Sequence, residues 1–233
     1  MTDKSKLPSR SSQQEVDAFL RKVSAVPGAG GGGRGRLIFA MDATASRGPT
    51  WDRACHIQAE MFQETQALGG LEVQLAYYRG FGEFEASEWV KDSESLLRRM
   101  TRVTCLAGHT QIGKVLRHAI AEAKRQKVGA LVFVGDCLEE DIDSLGDLAG
   151  QLGLLGVPCF MFHEGLDPVA RNAFQQIARL TGGAFCPFDA SSAQQLRDLL
   201  AAVAVYAAGG RKALSHYSDR KGGIVRQLTH QVG

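Results

Sequence analysis

The chain has 233 residues, 44% of them hydrophobic and 22% charged, which suits one α/β domain with a real core and short appendages. Its formal net charge of +2 conceals an acidic body with sixteen basic and twenty-one acidic residues between basic ends, six against three in residues 1–35 and five against one in residues 209–233. Those ends read as solvated tails rather than nucleic-acid or membrane contacts, and a membrane-spanning helix is excluded because the best apolar run, residues 152–162, is short and broken by Gly and Pro.

In chain order, Ser12-Gln13-Gln14-Glu15 has the form of a capping box and precedes Val16, Phe19, Leu20 and Val23, one apolar helical face. A short N-terminal helix is expected there. Pro27 and the run GAGGGGRG (Gly28 to Gly35) then read as a linker, because so many glycines are costly to order and no strand precedes them. From Arg36 strands alternate with helices: LIFAM, a helix from about Thr50 to Leu68, LEVQLAYY, a turn at Arg79 to Gly82, EFEAS, and a helix near Glu94 to Met100. A long helix from Thr110 to Gln126, ALVFVG, a helix from Asp141 to Leu152, VPCFMF, a helix from Pro168 to Thr181, AFCPF and a helix from Ser191 to Ala207 complete the order. The pattern predicts a doubly wound α/β sheet, parallel and covered by helices on both faces. It divides the chain into an N-terminal helix and linker at 1–35, a domain at 36–208 and a basic tail at 209–233, where Ile224, Leu228 and Val232 fall at helical spacing.

The five cysteines, Cys55, Cys105, Cys137, Cys159 and Cys186, are odd in number, widely spaced and form no C-x-x-C. They are expected to be small core thiols of a reduced protein. No apolar leader stands at MTDKSKLPSR, so the expected setting is cytoplasmic.

The stretch Gly108-His109-Thr110-Gln111-Ile112-Gly113-Lys114-Val115 comes within one residue of a nucleotide-binding loop, but Val115 stands where that loop needs a hydroxyl for Mg²⁺. In a doubly wound sheet the chemistry belongs beyond the carboxyl ends of the strands. There the first strand runs into Asp42-Ala43-Thr44-Ala45-Ser46, a carboxylate and two hydroxyls at alternate positions. Thr110 heads the long helix, and Asp136 ends the strand LVFVGD. These five hard oxygen donors suit Mg²⁺ or Mn²⁺ more than zinc. Thr110 is equally able to cap its helix. Glu139, Glu140, Asp141 and Asp143 are expected to favour a helix start through its dipole rather than to form a second metal cluster.

This set resembles the von Willebrand factor type A (VWA) domain and its metal-ion-dependent adhesion site. The pattern is D-x-S-x-S after the first strand, a Thr in a later loop and an Asp after the fourth strand; Asp42, Thr44, Ser46, Thr110 and Asp136 match it, with Thr44 in place of the first Ser. The resemblance spans about Arg36 to Ala207. It implies a VWA-like fold, a three-layer, doubly wound, Rossmann-like α/β sheet that is mostly parallel with one antiparallel edge strand, a Mg²⁺ or Mn²⁺ ion on these five residues, and a protein partner that presents an Asp or Glu to the ion.

The expected function is therefore a cytoplasmic metal-dependent protein-interaction module, not an enzyme. The alternative is a metal-dependent phosphoryl-transfer or hydrolytic enzyme using the GHTQIGK loop. The rim that would meet the partner is drawn from the loops after the strands: Arg47, Trp51, Arg79, Phe81, His109, His163 and Glu164. Within it, His109 and His163 are equally readable as satisfied core residues, and Trp51 as packed against the first helix of the domain.

Overall fold

The computed structural model describes residues 34–65, 69–188 and 193–221. The predicted N-terminal helix and most of the glycine run lie outside the described residues, as do Ile224, Leu228 and Val232. Six strands are present: β1 (Gly35–Asp42), β2 (Leu71–Arg79), β3 (Glu83–Ala86), β4 (Ala130–Gly135), β5 (Cys159–Glu164) and β6 (Ala184–Phe188). They form one sheet in the order β3-β2-β1-β4-β5-β6, parallel throughout except for the antiparallel edge pair β2–β3. The strand order reverses direction between β1 and β4, and the ends of those two strands frame the crevice that such sheets use for ligands.

The sheet is covered on both faces, so its central strands are apolar without a gap. All eight residues of β1 are buried. Leu37, Phe39 and Met41 alternate onto one face, against α1 (Gly48–Ile57), α2 (Ala59–Thr65), α3 (Ser93–Met100) and α7 (Ala193–Lys221). Ile38 and Ala40 take the other, against α4 (Ile112–Arg125), α5 (Ile142–Leu154) and α6 (Pro168–Leu180). A polar clamp crosses the second face: the Arg36 guanidinium lies 3.7 Å from the Trp89 ring centroid and 3.3 Å from Glu122, whose carboxylate also accepts from Trp89 Nε1 at 2.8 Å. The cation is therefore paired as well as buried.

Two predicted elements differ in the structure. The helix expected from about Thr50 to Leu68 is interrupted at Gln58 into α1 and α2. The last helix, expected to end at Ala207, continues to Lys221 across Gly210, whose φ of 68° and ψ of −163° suit glycine alone. Leu214 and Tyr217, in the segment drawn as a basic tail, are buried in the core beyond that kink. Among the described residues no helix is long and apolar enough to cross a membrane.

Candidate metal centre

The loop after β1 turns at once into a single 3₁₀ turn, Ala45–Arg47, which folds the hydroxyls of DATAS back over the strand end. The Thr44 amide donates to Asp42 Oδ1 at 2.7 Å, and the Thr44 and Ser46 hydroxyl oxygens lie 3.4 Å apart. Across the crevice, Ser46 Oγ donates to Asp136 Oδ2 at 2.9 Å. Four of the five expected donors thus form one connected group between β1 and β4. The other oxygen of Asp42 accepts from the fully buried Tyr78 hydroxyl on β2 at 3.1 Å.

Thr110 joins the same crevice indirectly. Its amide donates to Glu139 Oε2 at 3.0 Å and its hydroxyl accepts from the Glu139 amide at 2.9 Å, so it is fastened to the loop that follows Asp136. The next acid, Glu140, accepts from the amides of Ile112 and Gly113, the latter at 2.9 Å. These are the unpaired donors of the first turn of α4, where a nucleotide loop would hold phosphate. The helix N-terminus is capped by the chain's own carboxylate. Gly108 has a packing reason of its own, since a Cβ there would lie 1.9 Å from the Gly80 carbonyl oxygen. Lys114 reaches that same turn and donates to the Gly82 carbonyl at 2.6 Å. Glu139 and Glu140 therefore serve α4, and only Asp141 caps the helix that follows them, accepting from the Ser144 amide at 2.8 Å.

The rim drawn from the sequence contracts. Trp51 is 3% exposed, its Nε1 donating to the Met100 carbonyl and its ring meeting Tyr77 edge-on, so it is a core residue. His163 is 1% exposed, against Phe174, with Nε2 at 3.1 Å from the Asp136 carbonyl oxygen; it braces the strand end from below. Arg47 is 2% exposed, ion-paired with Glu164 and 3.8 Å from Asp136 Oδ2, while Glu164 also accepts from Thr50. Only Nη1 of Arg47 meets these two carboxylates, while Nε and Nη2 are buried without hydrogen-bond partners. Phe81, 80% exposed, stacks edge-on with exposed His109, and half-buried Arg79 is held by Glu83 and the Thr104 carbonyl. These three remain at the mouth.

The electrostatics of the crevice call for a cation. Burial raises the Asp42 carboxyl above its usual range, the Thr44 hydrogen bonds oppose the shift, the charge of Asp136 adds to it and the charge of Arg47 opposes it without cancelling it. Asp136 Oδ1 is buried without a hydrogen-bond partner. An acceptor in that position is expensive unless something positive completes it, and a divalent ion would fit both observations. Asp42, Asp136, Thr44 and Ser46 would hold it, with Thr110 entering from the neighbouring loop. Cys137 also belongs here: its sulfur lies with oxygens of Asp42 and Asp136 in a group whose ligand atoms are all within 4.8 Å of one another. Burial, followed by the neighbouring Asp136 charge, pushes its thiol up to about 12. Expected as a small core thiol, Cys137 instead stands half-buried at the crevice, and its position directly after the strand-end Asp is the sequence signal for it.

Comparison with solved structures gives the fold its class. The VWA domain of SpRpn10 superposes with a TM-score of 0.57 at 16% identity, covering 72% of this chain and 94% of that one. Proximal thread matrix protein 1 from the mussel byssus, with a zinc-occupied metal-ion-dependent adhesion site, gives 0.57 at 14% identity over 74% of this chain. The pilus adhesin SpaC of Lactobacillus rhamnosus GG gives 0.57 at 11% over 82%. This chain spans 46% of the mussel protein and 31% of the adhesin. The fold is VWA-like. No family model matches the sequence, and no curated protein does.

Proposed function

We propose that the protein is a VWA-type interaction module that binds one divalent cation, Mg²⁺ or Mn²⁺, at Asp42, Thr44, Ser46, Thr110 and Asp136, and through it an acidic side chain of a protein partner in the cytoplasm. The observation that carries this reading is the carboxylate pair at the β1/β4 switch point, one oxygen of which is buried and unpartnered. Two carboxylates nearly cancel a divalent charge, and Arg47 pairs with Glu164, so little anionic competition meets an incoming Asp or Glu. Phe81, His109 and Arg79 would then read the partner's surface around that acid. The domain division expected at 36–208 is extended in this proposal to at least Tyr217, because Leu214 and Tyr217 pack in the same core.

The test is capture of partners from lysate by the full chain. Binding is expected to be lost in EDTA, restored by Mg²⁺ and absent in Asp42→Ala. Capture indifferent to all three would defeat the reading.

Enzymatic use of the GHTQIGK loop is disfavoured because Glu140 fills the α4 N-terminus and Lys114 is engaged by the Gly82 carbonyl. Purified protein is expected to show no ATP or GTP turnover above background, and Lys114→Ala is expected to cost no more than about 1 kcal/mol, the usual net worth of one exposed hydrogen bond. Turnover abolished by Lys114→Ala would reverse that judgement.

A further inference from the structure

The donors at the β1/β4 crevice are not all oxygens. Cys137 follows Asp136 directly, and its sulfur converges with carboxylate oxygens of both Asp42 and Asp136. Cys137 and Asp136 are both partly accessible, so an ion reaching the carboxylates also meets the sulfur. Zinc takes sulfur at about 2.3 Å and carboxylate oxygen at about 2.1 Å, which in tetrahedral geometry puts oxygen and sulfur about 3.6 Å apart. From a separation of no more than 4.8 Å the required contraction of the oxygen–sulfur distance is about 1.2 Å at most. A small side-chain rotation supplies that.

We infer that Cys137 is a metal ligand of this site, making it a mixed oxygen and sulfur centre that accepts a thiophilic divalent ion such as Zn²⁺ or Co²⁺ in addition to the hard ions that its oxygens favour. This inference rests on the proposed metal site and deepens it. Coordination joins the sulfur to the ion as its proton leaves to solvent, without any redox change. Soft thiolate ligands select zinc over Mg²⁺, whereas carboxylate and hydroxyl oxygens do not. The two ions would leave the site in different charge states. With Mg²⁺ on the oxygens alone, two carboxylates balance the ion; with a thiolate added, three negative ligands outweigh it. An acidic partner is attracted less in the second state, so the identity of the ion would set how strongly the module holds its partner.

The test is a Co²⁺ titration of the reduced full-length protein followed by absorption, with Cys137→Ser as the comparison. Cobalt reports its own binding through visible ligand-field bands and reports sulfur through a near-ultraviolet thiolate charge-transfer band. Wild type is expected to show both, and Cys137→Ser the visible bands alone. Zn²⁺ affinity is expected to fall about tenfold or more in Cys137→Ser, at least the loss seen for outer-shell partners of a metal, while the Mg²⁺ response stays within about twofold. Circular dichroism and the metal-free melting temperature of the variant establish that it folds. Ligand-field bands without the charge-transfer band in wild type would overturn the sulfur ligand while leaving the oxygen site standing. A charge-transfer band that persists in Cys137→Ser would also overturn it and point to Cys105, whose thiol is raised by burial and then by the Asp42 charge. No binding of Co²⁺, Zn²⁺ or Mg²⁺ by wild type would remove the metal site altogether, and this inference with it.

Discussion

The two carboxylate oxygens of Asp136 have different surroundings. Oδ2 is held by Ser46 and faces Arg47, while Oδ1 is left buried and unpartnered, so the carboxylate is oriented by one oxygen and available through the other. Away from the crevice, His118 on α4 carries a different kind of consequence. Its Nε2 lies 2.8 Å from Gln74 Oε1, and because Gln74 Nε2 already donates to the Ser87 carbonyl, His118 is the donor. Burial holds its pKa below the ordinary value, only partly offset by Glu122. The folded state thus binds the proton less readily than the unfolded chain. Stability from this group is complete above an unfolded pKa of about 6.5 and is lost as pH falls toward and through the folded value. His163, lowered by burial as well, adds in the same direction. His118→Gln is expected to flatten part of the decline in urea-unfolding stability between about pH 6.5 and 5. An unchanged slope would show that His118 does not titrate with folding. The donors at strand ends were legible in the sequence because an apolar strand followed by Asp or D-x-T-x-S places side chains without knowledge of the rest of the fold. Arg47, Trp51 and His163 were not, because their burial depends on Glu164, Met100 and Phe174, partners tens to more than a hundred positions away or on other elements.

At the scale of elements, the start of α4 decides between two chemistries that share a sequence. Gly108 to Lys114 resembles a phosphate loop, yet the first-turn amides are taken by Glu140, the glycine is there to let the chain pass Gly80, and the lysine fastens the β2–β3 turn. The acidic run from Glu139 does lie at helix starts, but its first two members serve α4, the helix that precedes β4 in the chain, and not the one that follows them. Sequence distance concealed this, since Glu140 lies 27 residues from Gly113. Glu140→Ala is expected to lower stability by about 1 kcal/mol, up to about 2, by leaving two amides without their acceptor and removing a charge that suits the helix N-terminus. Thermal unfolding measures it. A loss within about 0.2 kcal/mol would mean that water replaces the carboxylate without penalty.

For the whole molecule, element order and layering followed from hydrophobic periodicity, the antiparallel edge strand from the family resemblance, and the position of the crevice from the ends of the strands. The end of α7 did not follow, because Leu214 and Tyr217 enter the core only after Gly210 redirects the helix. Parallel pairing of β1 and β4 brings the ends of those strands together, so that Asp42 and Asp136 share one space. Without a metal ion two carboxylates stand side by side, one of them fully buried, and the Arg47 charge nearby does not outweigh burial at Asp42, whose pKa stays raised. The central claim is that a divalent ion binds there and is held by both. The most direct measurement is the unfolding stability of the full chain with and without Mg²⁺, for wild type, Asp42→Ala and Asp136→Ala. Wild type is expected to gain about 2.7 kcal/mol when Mg²⁺ is present at about 100 times its dissociation constant. Both variants are expected to fold and to gain nothing; equal gains in all three proteins, or none in wild type at millimolar Mg²⁺, would contradict the account.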